Sequence, residues 1–168
     1  ICDYGFYNCY SLENIKLPDS VLKINSFAFS NCGLLRNITF GKNLDTIGNN
    51  AFQNCYLLNV SGDYSKLRNI ESSAFYNCQS LSSFNMGKNL TTLGDYAFYN
   101  CKKLANVTLD NKVTTVGRYA FAGCKRNEKV TLGDNVTKIG ENAFSDNTAL
   151  TEVVGGNNVD EIGKKAFY

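Results

Sequence analysis

The sequence predicts an α/β repeat solenoid, in which parallel β-strands alternate with short helical or 3₁₀ turns. The main observation is a column of eight phenylalanines spaced 23 residues apart, and alanine precedes each of them from the second onward. Two pairs of apolar residues also recur between successive phenylalanines. A fixed period in the twenties is typical of solenoids, because each repeat buries a face against the next. The column consists of Phe6, Phe29, Phe52, Phe75, Phe98, Phe121, Phe144 and Phe167.

Each repeat contains two candidate strands. The first apolar pair has its residues two apart, as in Ile15 and Leu17, and this alternation is typical of a half-buried strand. The second pair has its residues three apart, as in Val21 and Ile24, and its β-branched residues also favour a strand. A turn residue such as Pro18 separates the two pairs, so we expect the chain to leave one sheet there and enter another.

The segment that leads into each phenylalanine follows the pattern Gly-x-x-Ala-Phe-x-Asn-Cys. It is too short for an independently stable helix, so we expect a single helical or 3₁₀ turn with alanine and phenylalanine pointing inward. Equivalent strands of successive coils should pair in parallel, about 4.8 Å apart. The third repeat departs from this pattern, because Ser61 and Asp63 stand at the apolar strand positions and Val60 comes one residue early. This departure predicts a bulge or a one-residue slip.

The chain of 168 residues is predicted to be one domain. It holds about seven repeats, and both ends fall within a repeat. Solenoids need polar caps at their ends, so we expect this sequence to be a fragment of a longer protein. The repeats begin at Phe6, Phe29, Phe52, Phe75, Phe98, Phe121 and Phe144.

Composition argues against several functional classes. The net charge is +2 and charged residues make up 19% of the chain, which argues against nucleic acid as the partner. No apolar run is long enough for a transmembrane helix. Histidine is absent, and there is no phosphate-binding loop or nucleophile motif. We therefore expect a protein that is not an enzyme, with no catalytic, cofactor-binding or metal-binding residues.

Six of the seven cysteines form a second column. The spacing between coils would allow a disulfide by distance alone, but side chains stacked in register point the same way, which is poor geometry for a bridge. Asn147 takes the same place in the seventh repeat, which indicates a need for a small side chain that hydrogen-bonds to the backbone. We predict buried free thiols and no metal site. The column consists of Cys9, Cys32, Cys55, Cys78, Cys101 and Cys124.

Candidate ligand-facing residues lie at the outward positions of the first strand. They form a polar, nearly uncharged surface that suits many weak hydrogen bonds over a wide area. Tyr76 and Tyr99 lie on adjacent coils and form a candidate aromatic patch, since tyrosine is favoured at interfaces; half-buried packing is the alternative interpretation. The outward positions are Asn14, Lys16, Asn37, Thr39, Ser83, Asn85, Asn106, Thr108, Lys129 and Thr131.

The columns of residues 9–29 read Cys-x-x-Leu-x-x-Ile-x-Leu-Pro-x-x-Val-x-x-Ile-x-x-x-Ala-Phe. This motif resembles the BspA-like leucine-rich repeat, a 23-residue class found in surface proteins of bacteria and some protists. The resemblance covers the whole chain, although the proline survives only at Pro18. It implies a right-handed, curved leucine-rich-repeat solenoid with a β-sheet on its concave side. It also implies a cell-surface or secreted location and a role in adhesion.

The sequence and this resemblance together predict a non-enzymatic protein-binding module that adheres to host or neighbouring-cell proteins. The expected partner is a protein ligand, either an extracellular matrix component or a host surface protein. Two alternatives stay open. The domain could be a structural spacer that holds another domain away from the cell, or an intracellular scaffold for protein interactions.

Overall fold

The computed structural model describes all 168 residues as a solenoid of parallel β-strands, in which no residue is helical. The chain therefore has no helix of the length and apolarity that crossing a membrane requires. Coils are counted from Phe6, so that coil 3 covers residues 52–74, coil 4 residues 75–97 and coil 5 residues 98–120. Each coil has three sides, which are two strand positions and a run of turns that carries the phenylalanine.

Thirteen strands occupy the two strand positions. The first position, whose outward surface is called the first face, holds β1 (Asn14–Lys16), β3 (Asn37–Phe40), β5 (Asn59–Gly62), β8 (Val107–Thr108), β10 (Lys129–Leu132) and β12 (Glu152–Gly155). The second position, whose outward surface is called the second face, holds β2 (Lys23–Ile24), β4 (Thr46–Ile47), β6 (Asn69–Ile70), β7 (Thr92–Leu93), β9 (Thr115–Val116), β11 (Lys138–Ile139) and β13 (Glu161–Ile162).

All strand pairs are parallel and form four sheets. The register advances by one repeat per coil, so that Asn14 pairs with Asn37 and Ile24 with Ile47. The first strand position is divided into β1-β3-β5 and β8-β10-β12, and the second into β2-β4-β6-β7 and β9-β11-β13. Both divisions leave coil 4 unpaired with coil 5.

The predicted slip in the third repeat is confirmed. Ile38 pairs with Val60, an offset of 22 residues, whereas equivalent pairs elsewhere are 23 apart. The slip removes an inward side chain from the end of β5, and Tyr64 packs into the space instead. Its ring lies 5.5 Å from the Phe40 ring and 5.2 Å from the Phe84 ring, measured between centroids. The tyrosine therefore links the cores of three coils around the irregular strand.

The predicted helical or 3₁₀ turn is wrong, and so is the α/β class that depended on it. In the turn segment of one coil, Phe27 and Asn31 have φ angles of 56° and 63°, which interrupt the right-handed conformation that a helix requires. Alternate N–H groups also donate their hydrogen bonds outside the segment, to the next turn segment. Ser30 donates to the Phe27 carbonyl three residues earlier, but Phe29 donates to Ala51 in the next turn segment, at 2.7 Å.

This turn segment, whose outer surface is called the turn face, forms a hydrogen-bonded column through the whole solenoid. Three backbone bonds join each turn segment to the next one along the solenoid, and the middle one runs from the phenylalanine N–H to the alanine carbonyl 22 residues later, at 2.7–2.8 Å. These middle bonds join Phe6 to Ala28, Phe29 to Ala51, Phe52 to Ala74, Phe75 to Ala97, Phe98 to Ala120, Phe121 to Ala143 and Phe144 to Ala166. Both strand positions are interrupted between coils 4 and 5, so most of the backbone hydrogen bonds at this point of the solenoid belong to the turn face.

The phenylalanine column forms the centre of one continuous core. Neighbouring rings stack with centroids 4.8–5.3 Å apart and interplanar angles of 3–12°. The rings from Phe29 to Phe144 are buried, which confirms their predicted inward placement. Like residues stacked in register favour the dense packing that is typical of protein interiors.

The cysteine column lies beside the phenylalanines and binds their carbonyl groups. The Sγ atom of Cys32 donates to the Phe6 carbonyl at 3.0 Å, and the four following cysteines repeat this contact at 3.1–3.4 Å. Asn147 makes the same bond with its Nδ2 atom, 2.8 Å from the Phe121 carbonyl. The predicted need for a small hydrogen-bonding side chain is therefore confirmed. Burial raises the pKa of the Cys101 thiol well above its ordinary value, because the thiolate would lose its hydration.

A ladder of asparagines runs along the turn face. Each side chain amide donates to the Oδ1 atom of the asparagine one coil earlier, at 2.6–3.1 Å. All members have φ angles of 58–63°, a conformation that asparagine tolerates better than most residues. The ladder consists of Asn8, Asn31, Asn54, Asn77 and Asn100, and Gly123 follows it.

Candidate binding surface

The structure places the predicted ligand-facing residues on the first face. Ile38 and Val130 point inward and are buried, so the residues on either side of them point outward. Thr39 and Thr131 are partly exposed, and the other eight predicted residues are exposed. Alternation along each strand and parallel stacking of the coils together gather these side chains into rows.

Side chains at both ends of the first face are paired across coils. The Asn37 amide donates to Asn14 Oδ1 at 2.7 Å, and the Lys129 ammonium lies 3.0 Å from a Glu152 carboxylate oxygen. Such exposed pairs contribute little stability, but they orient the groups that a partner would meet. The ends of the face therefore present an ordered, nearly neutral surface.

The middle of the first face is interrupted at coil 4. Ser83 and Asn85 lie in no strand, although the sequence of their coil follows the repeat. The N–H groups of Ser83 and Phe84 donate to no backbone carbonyl, and that of Asn85 donates to the Tyr64 hydroxyl at 3.2 Å. The slipped strand β5 explains this, because its carbonyls are out of register with coil 4.

A cavity of about 650 Å³ opens at this interruption. Its floor includes Phe84 and Met86, which are only 8% and 3% exposed, and its rim is mostly polar. The structure brings three of the predicted residues together here, namely Asn85, Asn106 and Thr108. The complete lining consists of residues 62–65 of coil 3, residues 84–89 of coil 4, and Asn106, Thr108 and Asp110 of coil 5.

The charged groups of the cavity are few and of both signs. Asp63 accepts the Ser65 N–H at 3.0 Å, and this hydrogen bond lowers the pKa of the carboxyl. Burial raises the pKa of the Tyr64 hydroxyl, so the tyrosine is neutral near pH 7. Lys88 and Asp110 complete the set. No group of three or more histidine, cysteine, aspartate or glutamate side chains is arranged to hold a metal ion.

The candidate aromatic patch is larger than predicted. Tyr76 and Tyr99 stack at 4.8 Å with an interplanar angle of 14°, and Tyr96 and Tyr119 stack beside them at 4.8 Å. All four are half-buried. Burial raises the pKa of the Tyr76 hydroxyl, and the hydroxyls of Tyr99 and Tyr96 raise it further. The cluster lies on the turn face, so the structure does not bring it together with the ten polar residues.

Several of these residues are not predicted by the sequence. Tyr96 and Tyr119 stand two positions before a repeat phenylalanine, at φ angles of 58° and 54°, and their regular spacing was the available signal. The cavity residues Tyr64, Lys88 and Asp110 follow strand positions rather than occupy them. Only the irregular third repeat pointed to this part of the face.

The sequence matches the family model of the BspA type leucine rich repeat region, in six copies over residues 1–86 and 63–168. No curated protein matches the chain significantly.

Three solved structures have a similar fold. A leucine-rich repeat protein of T. pallidum is 26% identical, with a TM-score of 0.83 over 90% of this chain and 73% of that protein. One from Bacteroides ovatus is 28% identical, with a TM-score of 0.89 over 97% of this chain and 42% of that protein. The pneumococcal vaccine antigen PcpA is 21% identical, with a TM-score of 0.53 over 93% of this chain and 55% of that protein. The chain spans less than two thirds of the last two proteins.

Proposed function

The chain belongs to the BspA-type leucine-rich repeat family, and on this basis we propose that it is a non-enzymatic protein-binding module of a cell-surface or secreted protein. In this proposal it adheres to an extracellular matrix protein or to another host or neighbouring-cell surface protein. The observation that carries the proposal is the exposed, polar first face, where side chains from six coils and from the interruption at coil 4 point outward.

The chemistry of this face suits a broad and shallow contact. Exposed amides and hydroxyls such as Asn37, Asn106 and Thr108 offer weak hydrogen bonds, each worth about 0.5–1.5 kcal/mol net. Useful affinity then requires many contacts at once, over an interface of about 1,200–2,000 Å². A regular solenoid provides such an area on a rigid frame, and little of the binding energy is lost to ordering it. A protein surface is the partner that covers an area of this size.

Charge reversal on matched faces tests the proposal. The first variant combines Lys16→Glu with Lys129→Glu on the first face, and the control combines Lys23→Glu with Lys138→Glu on the second face. The two variants are matched, because all four lysines are exposed and each pair includes one lysine paired with a glutamate, Glu152 or Glu161. Binding to a panel of purified matrix proteins is measured by surface plasmon resonance.

We expect the first variant to weaken binding to the matrix protein that the wild type captures, and the control to bind like the wild type. Equal losses in both variants would show that the first face is not the contact surface. Failure of the wild type to bind any protein of the panel would count against adhesion to the matrix and favour the spacer.

A further inference from the structure

The cavity at coil 4 presents polar side chains that have no partner within the protein. Asn106 and Thr108 occupy the same repeat positions as Asn37 and Thr39, three coils earlier. The side chains of Asn37 and Thr39 hydrogen-bond to neighbouring coils, whereas those of Asn106 and Thr108 make no hydrogen bond and line the cavity. The Lys88 ammonium, which also lines it, has no ion pair. Several hydrogen-bonding groups therefore converge on one space without being used by the fold.

The backbone around the cavity is also exceptional. Asn106 has a φ angle of 51°, and it is the only residue other than glycine with a positive φ outside the turn face. A residue held in a sparsely populated conformation at a candidate site is a reason to infer function there. Gly87 has a φ angle of 67°, and no heavy atom lies within 4 Å of the place where its Cβ would be. The chain thus leaves open space at this position instead of filling it.

The chemistry of the lining defines the ligand. The amides of Asn85 and Asn106 offer donors and acceptors, and the carboxylates of Asp63 and Asp110 offer acceptors. With one lysine against two aspartates, the charge disfavours phosphate and other anions. Phe84 and Met86 are almost completely covered, so the floor offers little area for the apolar anchor on which protein interfaces depend. The lining therefore favours a neutral ligand rich in hydroxyl groups, because each hydroxyl both donates and accepts hydrogen bonds.

From these observations we propose that the cavity is a binding site for a neutral carbohydrate. The hydroxyls of the sugar would hydrogen-bond to Asn106, Thr108 and Asp110, and the half-buried ring of Tyr64 would contact its C–H groups. The cavity volume lies within the usual range for small-molecule sites, about 300–1,000 Å³. This site would give the module a second class of ligand, in addition to the protein partner proposed above.

The test uses four neutral disaccharides as probes: maltose, cellobiose, lactose and N,N′-diacetylchitobiose. Each is titrated into the isotopically labelled protein, and amide chemical shifts are followed by NMR. We expect at least one probe to give saturable shifts at Gly87, Asn106 and Thr108. Two variants should reduce its affinity at least about tenfold, which corresponds to ~1.4 kcal/mol. Asn106→Gly removes the amide but permits the same backbone, and Gly87→Asn places a side chain in the cavity.

The control is Gly123→Asn, because Gly123 also has a positive φ angle, 74°, but lies on the turn face. It should bind the sugar like the wild type. Failure of all four probes to shift the cavity amides would overturn the inference, as would equal losses in the control variant. Cavity shifts produced by a neutral polar peptide but by no sugar would also overturn it. The variant Lys16→Glu with Lys129→Glu should keep sugar binding, so failure of this proposal is distinguishable from failure of the protein-binding proposal.

Discussion

Replacing Phe98 by alanine tests how the two halves of the solenoid are joined. Phe98 is the first residue of coil 5, and both strand positions are unpaired between coils 4 and 5. Outside the turn face, one backbone bond joins coils 4 and 5, from the Ala105 N–H to the Ser82 carbonyl at 3.1 Å. The stability of a solenoid depends on the interfaces between neighbouring coils. Packing of Phe98 should therefore contribute an unusually large part of the stability of the interface between coils 4 and 5.

The magnitude follows from the contacts of the ring. Phe98 is 0% exposed, and its centroid lies 5.0 Å from Phe75, 5.3 Å from Phe121 and 5.2 Å from Phe84. Truncating a buried phenylalanine to alanine lowers the free energy of unfolding by about 3–5 kcal/mol. The three aromatic contacts of Phe98 place its expected loss at the upper end of this range. A loss of about 5 kcal/mol lowers the melting temperature of a chain of this size by about 10–20 °C.

Scanning calorimetry provides the assay, with Phe52→Ala as the matched control. Phe52 is equally buried and stacks on Phe29 and Phe75 at 5.2 Å, but its coil pairs at both strand positions with coil 2 and at the second position with coil 4. We expect Phe98→Ala to separate unfolding into two transitions, whereas Phe52→Ala should lower one transition. An unchanged melting temperature for Phe98→Ala would refute the inward packing. A single, equally lowered transition in both variants would refute the weak junction.

Three further predictions concern the polar columns. Asn77→Ala should destabilise the protein by about 2–3 kcal/mol in urea denaturation, because it removes two ladder bonds and places alanine at a φ of 61°. Asn77→Gly should recover part of this loss, because glycine adopts that φ without strain, and equal losses in the two variants would exclude backbone strain as a cause. Gly123→Asn should stabilise the protein by about 0.5–1 kcal/mol by extending the ladder from Asn100, and no gain in melting temperature would mean that the new amide does not reach Asn100. Stability should fall as the pH rises above about 8.5, the pKa of an unfolded thiol. Folding raises the pKa of Cys55, Cys78, Cys101 and Cys124, so that above this pH only the unfolded chain releases these protons. Cys78→Ser should make the fall of stability with pH shallower, and an unchanged slope would contradict the burial of that thiol.

Repeating columns made most of the fold predictable. Position within the 23-residue period identified the two strands, the buried phenylalanines and the outward residues, because parallel stacking places equivalent residues in equivalent surroundings. The role of the cysteine column was predictable in the same way, since Asn147 at the same position indicated a need for a side chain that hydrogen-bonds to the backbone. Val60, one residue early, revealed the slipped strand.

The turn segment could not be predicted in the same way. Ala-Phe suggested a helical turn, and nothing in the local propensity of Phe27 or Tyr96 indicates a left-handed backbone, which is uncommon for bulky residues. The asparagine ladder was a signal, since asparagine favours that conformation. The cavity escaped prediction for another reason. Coil 4 has a regular sequence, but it forms no strand at the first position, because the carbonyl groups of β5 in coil 3 are out of register with it.

The most direct test of protein binding by the first face is a cross-saturation NMR experiment on the labelled chain bound to an unlabelled matrix protein from the panel. Saturation of the partner attenuates only the amides that it covers. We expect attenuation along the first face, at the outward residues of β3, β8 and β10 such as Asn37, Thr108 and Thr131. Attenuation confined to the second face, or to the tyrosines of the turn face, would contradict it.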